Sequence, residues 1–205
     1  MNQKDFQKRI KFEIPKELKK ALSEGKDIFL AGAHINQWEW GAIAAGKEFP
    51  CRVAGIYKPL SAKPMDALML RLREKLGTQM IPMEQVIRDI LQEDRQNSVY
   101  LFMTDQSTPF VDKAHWVDFF GYSTPFAPGM SVLAYKKNIP IFYFYIKRFK
   151  RGYYKVHFEP LTYGQNFDTP EEITEIYSKK VEENILKDPP AWLWTHKRWK
   201  RVLRY

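Results

Sequence analysis

Short apolar runs alternate with helix-forming segments along most of this chain, and this alternation constrains the fold more than any other feature of the sequence. Apolar runs begin at Ile28, Val53 and Val99, and segments with helix start and stop signals lie between them. Strand–helix–strand repeats of this kind place parallel strands side by side in one sheet. The sequence therefore predicts an α/β fold with a mixed, mainly parallel central sheet flanked by helices.

Proline, glycine and capping residues set the expected limits of the helices. Pro15 suits the first turn of a helix that Gly25 ends, and Thr169-Pro170-Glu171-Glu172 is a capping box that opens a longer one. The helices expected on such signals cover residues 16–24, 65–76, 84–93, 130–137 and 170–185. The expected strands cover residues 28–31, 53–57, 80–81, 99–103, 141–147 and 153–158. A turn at Arg151-Gly152 is expected to join the last two strands as a hairpin.

The length of 205 residues favours a single domain over 1–205, with its core over 27–188 and a C-terminal tail over 189–205. The tail carries several tryptophans among lysines and arginines and contains no acid. Two interpretations of the tail stay open: a helix docked on the domain with a solvated charged side, or a segment that binds a membrane interface.

Composition excludes several classes of protein. Apolar residues make up 44% and charged residues 28%, which fits a folded domain and not a disordered chain. No apolar run approaches the ~20 residues that a membrane-spanning helix needs. The N-terminus has no signal-peptide pattern, and Cys51 is the only cysteine, so no internal disulfide or thiolate metal cluster can form. A reducing cytoplasmic compartment is expected.

An excess of basic residues points to an acidic partner. The 33 Lys and Arg against 24 Asp and Glu give a formal net charge of +9, which suits nucleic acid, anionic lipid or an acidic protein. A basic nucleic-acid-binding domain is a distant alternative, supported by Lys and Arg clusters beside aromatic residues at 147–151 and 197–204. It leaves the histidine motif at the first strand exit without a purpose, so no nucleic acid is expected as a partner.

A histidine and a glutamate five residues apart follow the first predicted strand. His34 leaves the strand, and Glu39 lies in the first turn of a helix that Asn36 is expected to cap. Five residues of regular helix turn through about 500°, so the two side chains can meet only if His34 precedes the helix. A carboxylate on one imidazole nitrogen leaves the other to take a proton from a hydroxyl. His34 is therefore a candidate general base paired with Glu39; the alternative is a loop histidine beside a capping glutamate.

Other residues that stand out have simpler interpretations. His115 and Asp118 form an H-x-x-D pattern in a Pro-rich and aromatic segment, expected to be a loop, before Phe119, and both are expected to face solvent. The aromatic run over 142–145 is expected to be a buried strand, although it could line an acyl channel. The sequence indicates no metal site.

The H-x-x-x-x-E motif and several later blocks resemble the late lipid A acyltransferases of lauroyl or myristoyl type, a branch of the lysophospholipid acyltransferase-like superfamily. The blocks occur in that branch's order and are Tyr57-Lys58-Pro59, Pro64-Met65-Asp66, Arg73-Glu74-Lys75-Leu76-Gly77, Asp105-Gln106, Phe119-Phe120-Gly121, Thr124-Pro125-Phe126-Ala127-Pro128-Gly129 and Trp192-Leu193-Trp194-Thr195-His196-Lys197-Arg198-Trp199. The resemblance covers residues 28–200. Each block is weak alone, and their common order carries the resemblance.

The resemblance implies a glycerolipid acyltransferase-like domain in which His34 is the general base and Glu39 its partner. It implies a substrate site that includes Arg73, Asp105, Gln106, Asn36, Thr124 and Gly129. On physical grounds the Arg73 guanidinium suits a phosphate of the acceptor or of the donor, because its fixed fork of donors fits oxyanions.

The implied reaction moves a fatty acyl chain from a thioester, on acyl carrier protein or CoA, to a hydroxyl of a lipid A precursor, with no metal or other cofactor. The implied location is peripheral, at an anionic membrane surface on the cytoplasmic face of the bacterial inner membrane.

Two departures from the family are visible. Thr104-Asp105-Gln106 stands where the glycerolipid branch has an E-G-T-R block, which argues against a glycerol phosphate acceptor. The N-terminal hydrophobic anchor usual in the lipid A branch is not found, so a short form or a fragment is expected, one that binds membranes through basic and aromatic residues. An acyltransferase for another membrane lipid, such as an aminolipid or a lysolipid, stays open as the alternative.

Overall fold

The computed structural model describes residues 3–92 and 97–201, in which strands and helices alternate as the sequence predicts. The strands are β1 (Ile10–Glu13), β2 (Ile28–Gly32), β3 (Arg52–Tyr57), β4 (Gln79–Pro82), β5 (Ser98–Met103), β6 (His115–Phe119), β7 (Tyr122–Phe126), β8 (Ile141–Lys150) and β9 (Tyr153–Pro160). The α-helices are α1 (Gln3–Arg9), α2 (Lys16–Ser23), α3 (Trp38–Glu48), α4 (Lys63–Arg73), α5 (Val86–Ile90), α6 (Gly129–Lys137) and α7 (Pro170–Lys187). Short 3₁₀ turns lie at Glu74–Leu76, Val111–Lys113, Pro189–Ala191 and Trp194–His196.

Seven of the strands form one sheet in the order β1-β9-β8-β2-β5-β3-β4. Neighbouring strands in it are parallel except in the β8–β9 hairpin, which is antiparallel. The predicted α/β fold with a mixed, mainly parallel sheet is therefore confirmed. Strand β1 was not expected; it extends the sheet beyond β9 by four residue pairs, beginning with Ile10 opposite Tyr154.

Two apolar clusters cover the two faces of the sheet. Successive residues of β5, such as Tyr100 and Leu101, belong to different clusters because alternate side chains of a strand point to opposite faces. Helices α5, α6 and α7 pack in the first cluster, and α1, α2 and α3 pack in the second. The aromatic residues at the start of β8 lie in these clusters, so the expectation of a buried strand over 142–145 holds for Phe142, Tyr143 and Phe144.

Most predicted helices occur, with changed ends. Helix α4 stops at Arg73, and a 3₁₀ turn continues to Gly77, whose φ of 96° is the left-handed stop that the glycine predicts. Helix α5 is much shorter than the expected 84–93; its Val86 and Ile90 turn to the core, and the residues between them are not buried. Residue 93 lies outside the described residues.

The segment expected to be an aromatic loop contains an antiparallel hairpin, β6–β7. Along β6 burial alternates, with His115, Val117 and Phe119 inward, which is the period of two that indicates a strand. The turn consists of Phe120 and Gly121, with φ of 57° and 75°. The hairpin packs on α7 through β6.

His115 does not face solvent as the H-x-x-D pattern led us to expect. It is 8% exposed, with Nδ1 2.7 Å from Thr174 Oγ1 and Nε2 3.2 Å from Glu171 Oε1. Ser131 Oγ lies 3.4 Å from the same Nδ1. The expectation failed because it treated this segment as a loop, whereas β6 turns His115 inward between α6 and α7. Asp118 accepts the backbone N–H of Gly121 in the hairpin turn.

Candidate active site

Two neighbouring strands end beside each other at the carboxyl edge of the sheet. Strands β2 and β5 are parallel and adjacent, with Gly32 opposite Met103 in the last pair of the register. The residues that follow each strand, His34 on one side and Asp105 on the other, are therefore brought to the same place. Crevices at the carboxyl ends of parallel strands are where α/β proteins usually bind their ligands.

His34 and Asp105 form a close pair at this edge. His34 Nδ1 is 2.6 Å from Asp105 Oδ1, and the backbone N–H of His34 donates to Asp105 Oδ2 at 3.1 Å. The ring of Trp38 meets the His34 ring edge to face, with centroids 4.7 Å apart. The His34 side chain keeps 13% exposure, and no hydrogen bond to its Nε2 forms within residues 3–92 and 97–201. One imidazole nitrogen is thus held by a carboxylate while the other is open.

Asp105 is ionised although it is only 1% exposed. Burial by itself raises the pKa of this carboxyl group, but hydrogen bonds and charge from His34, together with the indole N–H of Trp192, outweigh burial and hold the pKa below its ordinary value. The Trp192 Nε1 donates to Asp105 Oδ2 at 2.9 Å. The site therefore contains a buried negative charge that faces the imidazole.

Glu39, the predicted partner of His34, binds a different residue. Its Oε2 accepts from Arg73 Nε at 3.0 Å and its Oε1 from Arg73 Nη2 at 2.6 Å. Helix α3 begins at Trp38, so Glu39 lies in its first turn, and α3 packs on α4, which carries Arg73. The predicted pairing of His34 with Glu39 is wrong in this structure: the carboxylate at His34 is Asp105.

The Arg73–Glu39 pair is a two-pronged ion pair between α4 and α3. The hydrogen bond that Arg73 donates to the Glu39 carboxylate raises the pKa of Arg73 above its ordinary value, so the guanidinium is always charged. Its side chain is 18% exposed, and no described residue hydrogen-bonds its Nη1. Two of the predicted substrate-site residues thus take part in the carboxylate contacts described here. Arg73 is the cation that binds the Glu39 carboxylate, and Asp105 is the carboxylate that binds His34.

Asn36 does not cap α3 as predicted. The cap position is Gln37, which makes no side-chain cap hydrogen bond, and Asn36 has a left-handed φ of 56°. Its Nδ2 donates to the carbonyl of Ile146 at 2.8 Å and its backbone N–H to the carbonyl of Ala191 at 2.9 Å. The tight turn after His34 puts Asn36 one residue too early to cap the helix, and the side chain instead ties this loop to β8.

Gln106, Thr124 and Gly129 lie away from the His34–Asp105 contact. Gln106 follows Asp105 and is half-buried; Thr124 is fully buried on β7, where its hydroxyl donates to the carbonyl of Tyr122. Gly129 is exposed at the start of α6, with open space where a Cβ would lie. Within the described ranges no hydrogen bond joins these three to His34 or Asp105, and their substrate-binding role stays a prediction.

The C-terminal tail packs against the site as far as residue 201. Trp192 pairs with Ile35 in an antiparallel bridge, and the backbone N–H of Leu193 donates to the carbonyl of His34 at 3.1 Å. Further along, His196 Nε2 accepts the N–H of Ser107 at 2.9 Å. The tail is therefore docked, as one of the two interpretations held, but through 3₁₀ turns and not as a helix. Residues 202–205 lie outside the described residues.

Arg198 is a buried cation within the docked tail. It is 2% exposed; its Nη2 donates to the carbonyl of Pro125 at 2.8 Å, and its guanidinium lies 4.3 Å from the ring centre of Phe126. Burial lowers the pKa of Arg198 to about 10, so it stays charged at neutral pH. This side chain anchors the tail on the β6–β7 hairpin.

Sequence reasoning missed two residues that build this edge. Tyr177 on α7 donates its hydroxyl to the carbonyl of Gly32 at 2.6 Å and accepts the N–H of Thr104 at 3.3 Å, which links the exits of β2 and β5. Burial raises the pKa of Tyr177 well above its ordinary value, so it remains a hydroxyl. Trp192 belongs to the last of the sequence blocks that resemble the family, but the sequence does not show that its indole contacts Asp105. Neither residue has a local sequence signal for its role, because both reach the site from distant parts of the chain.

No α-helix in the described residues combines the length and the apolar character needed to cross a membrane. Residues 3–92 and 97–201 also contain no group of three His, Cys, Asp or Glu side chains arranged to hold a metal ion. A search of curated proteins finds no match to the chain. The family model for bacterial lipid A biosynthesis acyltransferases, however, matches residues 1–201. Since that match covers nearly the whole sequence, the chain belongs to the bacterial lipid A biosynthesis acyltransferase family and is an acyltransferase.

Proposed function

We propose that this enzyme moves a fatty acyl chain from an acyl thioester, carried by acyl carrier protein or CoA, to a hydroxyl of a lipid A precursor, in a late step of lauroyl or myristoyl type. The observation that carries the proposal is His34, held at Nδ1 by the buried, ionised Asp105 with its Nε2 open. A general base needs this asymmetry, because one nitrogen must keep its proton while the other accepts one.

The proton transfers follow from the hydrogen bonds. The Nδ1–H of His34 donates a hydrogen bond to Asp105 and keeps its proton, which leaves the lone pair on Nε2. Nε2 takes the proton of the acceptor hydroxyl as that oxygen attacks the thioester carbonyl. The C–S bond then breaks, and the leaving sulfur takes the proton from the imidazolium, which returns His34 to its starting state. Asp105 stabilises the imidazolium between these steps, and no metal or prosthetic group takes part.

Arg73 is assigned to an oxyanion of the substrates. Glu39 holds its Nε and Nη2, which fixes the plane of the guanidinium and leaves Nη1 toward a ligand. A guanidinium suits phosphate by geometry and charge, and both a lipid A precursor and the phosphopantetheine arm of the donor carry phosphate. Glu39 is then a positioning residue for Arg73 and acts on His34 only indirectly.

The outer side of α4 supports the second part of the proposal, that the enzyme works at an anionic membrane surface. Met65, Leu68 and Leu72 are 51%, 46% and 44% exposed and follow one another at helical spacing, and no residue of this helix is buried. The exposed basic residues Lys63 and Arg71 lie on the same helix. An apolar stripe with basic neighbours is the pattern of a helix that lies in a membrane interface. The docked tail, in contrast, buries Trp192 and Arg198.

Membrane binding can be tested by vesicle flotation. The double variant Leu68→Gln/Leu72→Gln should lose most of its binding to vesicles that contain anionic lipid. Leu186→Gln removes a similarly exposed leucine from α7, on the other face of the sheet, and should bind as the wild type does. Equal flotation of all three proteins would remove α4 from the proposal.

The acceptor is tested by lipid mass spectrometry on bacteria that lack this protein. Cells that receive the intact chain should gain a lipid A species heavier by one acyl group, and cells that receive His34→Ala should not. A mass gain in an aminolipid or lysolipid would keep the chemistry and replace the acceptor. Full restoration of the lipid by folded His34→Ala would refute His34 as the base.

A further inference from the structure

The docked tail reaches the buried carboxylate of the site as well as its rim. We propose that Trp192 is a positioning residue that orients the Asp105 carboxylate toward His34 through its indole N–H. This inference rests on the proposed role of His34 as general base, and it adds the C-terminal tail to the parts of the chain that set the strength of that base.

The two oxygens of Asp105 have separate partners. Oδ1 meets His34 Nδ1 at 2.6 Å, whereas Oδ2 accepts the backbone N–H of His34 at 3.1 Å and the indole N–H of Trp192 at 2.9 Å. A carboxylate with donors on Oδ2 from two directions cannot rotate about its Cβ–Cγ bond without losing one of them. Trp192 therefore keeps Oδ1 in place for the imidazole.

Trp192 is itself held on both sides. Its backbone forms a bridge with Ile35, the preceding carbonyl of Ala191 accepts the N–H of Asn36, and the following N–H of Leu193 donates to the carbonyl of His34. The residue is 5% exposed, so its indole has little freedom to turn. The main-chain contacts around His34 thus fix the position of the donor that acts on the partner of His34.

The indole N–H also sets the electrostatics of the pair. A hydrogen bond to the charged form of a carboxylate stabilises that charge and weakens the oxygen as an acceptor from other groups. Loss of the Trp192 N–H would concentrate negative charge at Oδ1 and make the imidazolium of His34 more stable. The acid limb of the rate profile, which reports protonation of His34, would then move to higher pH.

A purely structural role for the ring is the competing explanation, and two other tryptophans provide matched controls. Trp194 is 50% exposed and its Nε1 donates to the carbonyl of Pro189. Trp199 is half-buried, stacks on Phe119, and its Nε1 has no partner among the described residues. Both rings pack edge to face on Trp192, at centroid distances of 4.7 and 5.9 Å, so a Trp→Phe change at either position alters the ring packing around Trp192 but leaves the donor to Asp105 in place.

The test compares Trp192→Phe, Trp194→Phe and Trp199→Phe in the full chain by thermal unfolding and by the pH dependence of kcat and KM. Trp192→Phe should lower kcat about tenfold, the effect of one hydrogen bond to a charged group, with little change in KM and with the acid limb at higher pH. The two control variants should keep the wild-type limb. A folded Trp192→Phe enzyme with wild-type kcat and limb would overturn the inference, as would an equal shift in Trp199→Phe.

A second measurement does not depend on the fold of any Trp192 variant. In the ¹⁵N-labelled wild-type protein, the indole N–H resonance of Trp192 should titrate together with His34 and stop doing so in Asp105→Asn. An indole resonance that ignores the His34 titration would contradict the inference. Failure of the proposed function is a separate result, because it would appear as full activity in His34→Ala.

Discussion

His34 and His115 are both largely buried histidines with an acid in contact, yet the two sites are built in opposite ways. At His34 the acid is Asp105, itself buried and ionised, and no residue in the described part of the chain hydrogen-bonds the other imidazole nitrogen. At His115 both nitrogens have partners, Thr174 on one side and Glu171 on the other, and Glu171 is largely exposed. A histidine with an acid nearby is therefore poised for chemistry only when one nitrogen is left without a partner. The other arrangement joins β6 to α7.

We expect the greatest loss of activity from a change of Asp105, the acid that contacts His34. Asp105→Asn should lower kcat about 10³-fold, because an amide can present its N–H₂ to Nδ1 and so favour the tautomer with the proton on Nε2. Steady-state kinetics on the folded variant measures this. Asp118→Asn is the control, since Asp118 is exposed and accepts the N–H of Gly121 in the turn of the β6–β7 hairpin. A wild-type kcat in Asp105→Asn would contradict the proposal that Asp105 supports His34 as the general base.

Glu39 is the second acid to test, because the spacing along the sequence predicts it as the partner of His34. Glu39→Gln should lower kcat/KM roughly 10-fold to 100-fold by releasing Arg73, mainly through KM for the phosphate-bearing substrate, and should leave the acid limb where it is. The pH profile of kcat/KM measures both effects. A limb that moves in Glu39→Gln but not in Asp105→Asn would return Glu39 to the role of direct partner.

The second site should respond in stability and not in chemistry. His115→Ala removes a buried ring that hydrogen-bonds Thr174 and should lower the free energy of unfolding by about 1–3 kcal/mol. The kcat of the folded fraction should stay at the wild-type value. Denaturant unfolding and active-site titration measure the two quantities. A large loss of kcat without loss of stability would make His115 a functional residue.

A weaker effect is expected from pH, which should change the contribution of His115 to the free energy of unfolding. Burial lowers the pKa of His115 below its ordinary value of 6.5, although the charge of Glu171 partly opposes this. The folded protein therefore binds the proton less readily than the unfolded chain, so the contribution of His115 is present above about pH 6.5 and is lost as the pH falls below it. The wild type should lose more stability than His115→Gln between pH 7 and pH 5. Parallel unfolding curves for the two proteins would contradict this.

Much of the fold could be predicted because its signals are local. Gly77 and Thr169 mark helix ends, and both act as predicted: Gly77 has a left-handed φ of 96°, and the Thr169 side chain accepts the N–H of Glu172. Strand β1 was not predicted because it is a short strand at the edge of the sheet, with a mixed pattern of apolar and charged residues. The β6–β7 hairpin was not predicted because aromatic and proline residues obscure the alternation of buried and exposed positions along β6.

The site was predicted less well, and the reason is geometric. The positions of His34 and Asp105 at strand exits were visible, but their contact depends on β2 and β5 being neighbours in the sheet. Glu39 is closer in sequence to His34, yet the first turn of α3 directs it to Arg73 on α4. Spacing along the chain measures distance only within one element, whereas partners across elements depend on how the elements pack.

The amino-acid sequence is enough to predict the kind and order of most helices and strands, the apolar faces that they bury, and the histidine at the first strand exit. These features follow from hydrophobic period, caps and turn residues, which act over a few neighbouring positions. The pairing of His34 with Asp105 and the hydrogen bond from Trp192 to Asp105 become visible in the folded chain alone. Those contacts join residues 71 and 87 positions apart, and such a separation is closed by the packing of the whole sheet and tail and by no local preference.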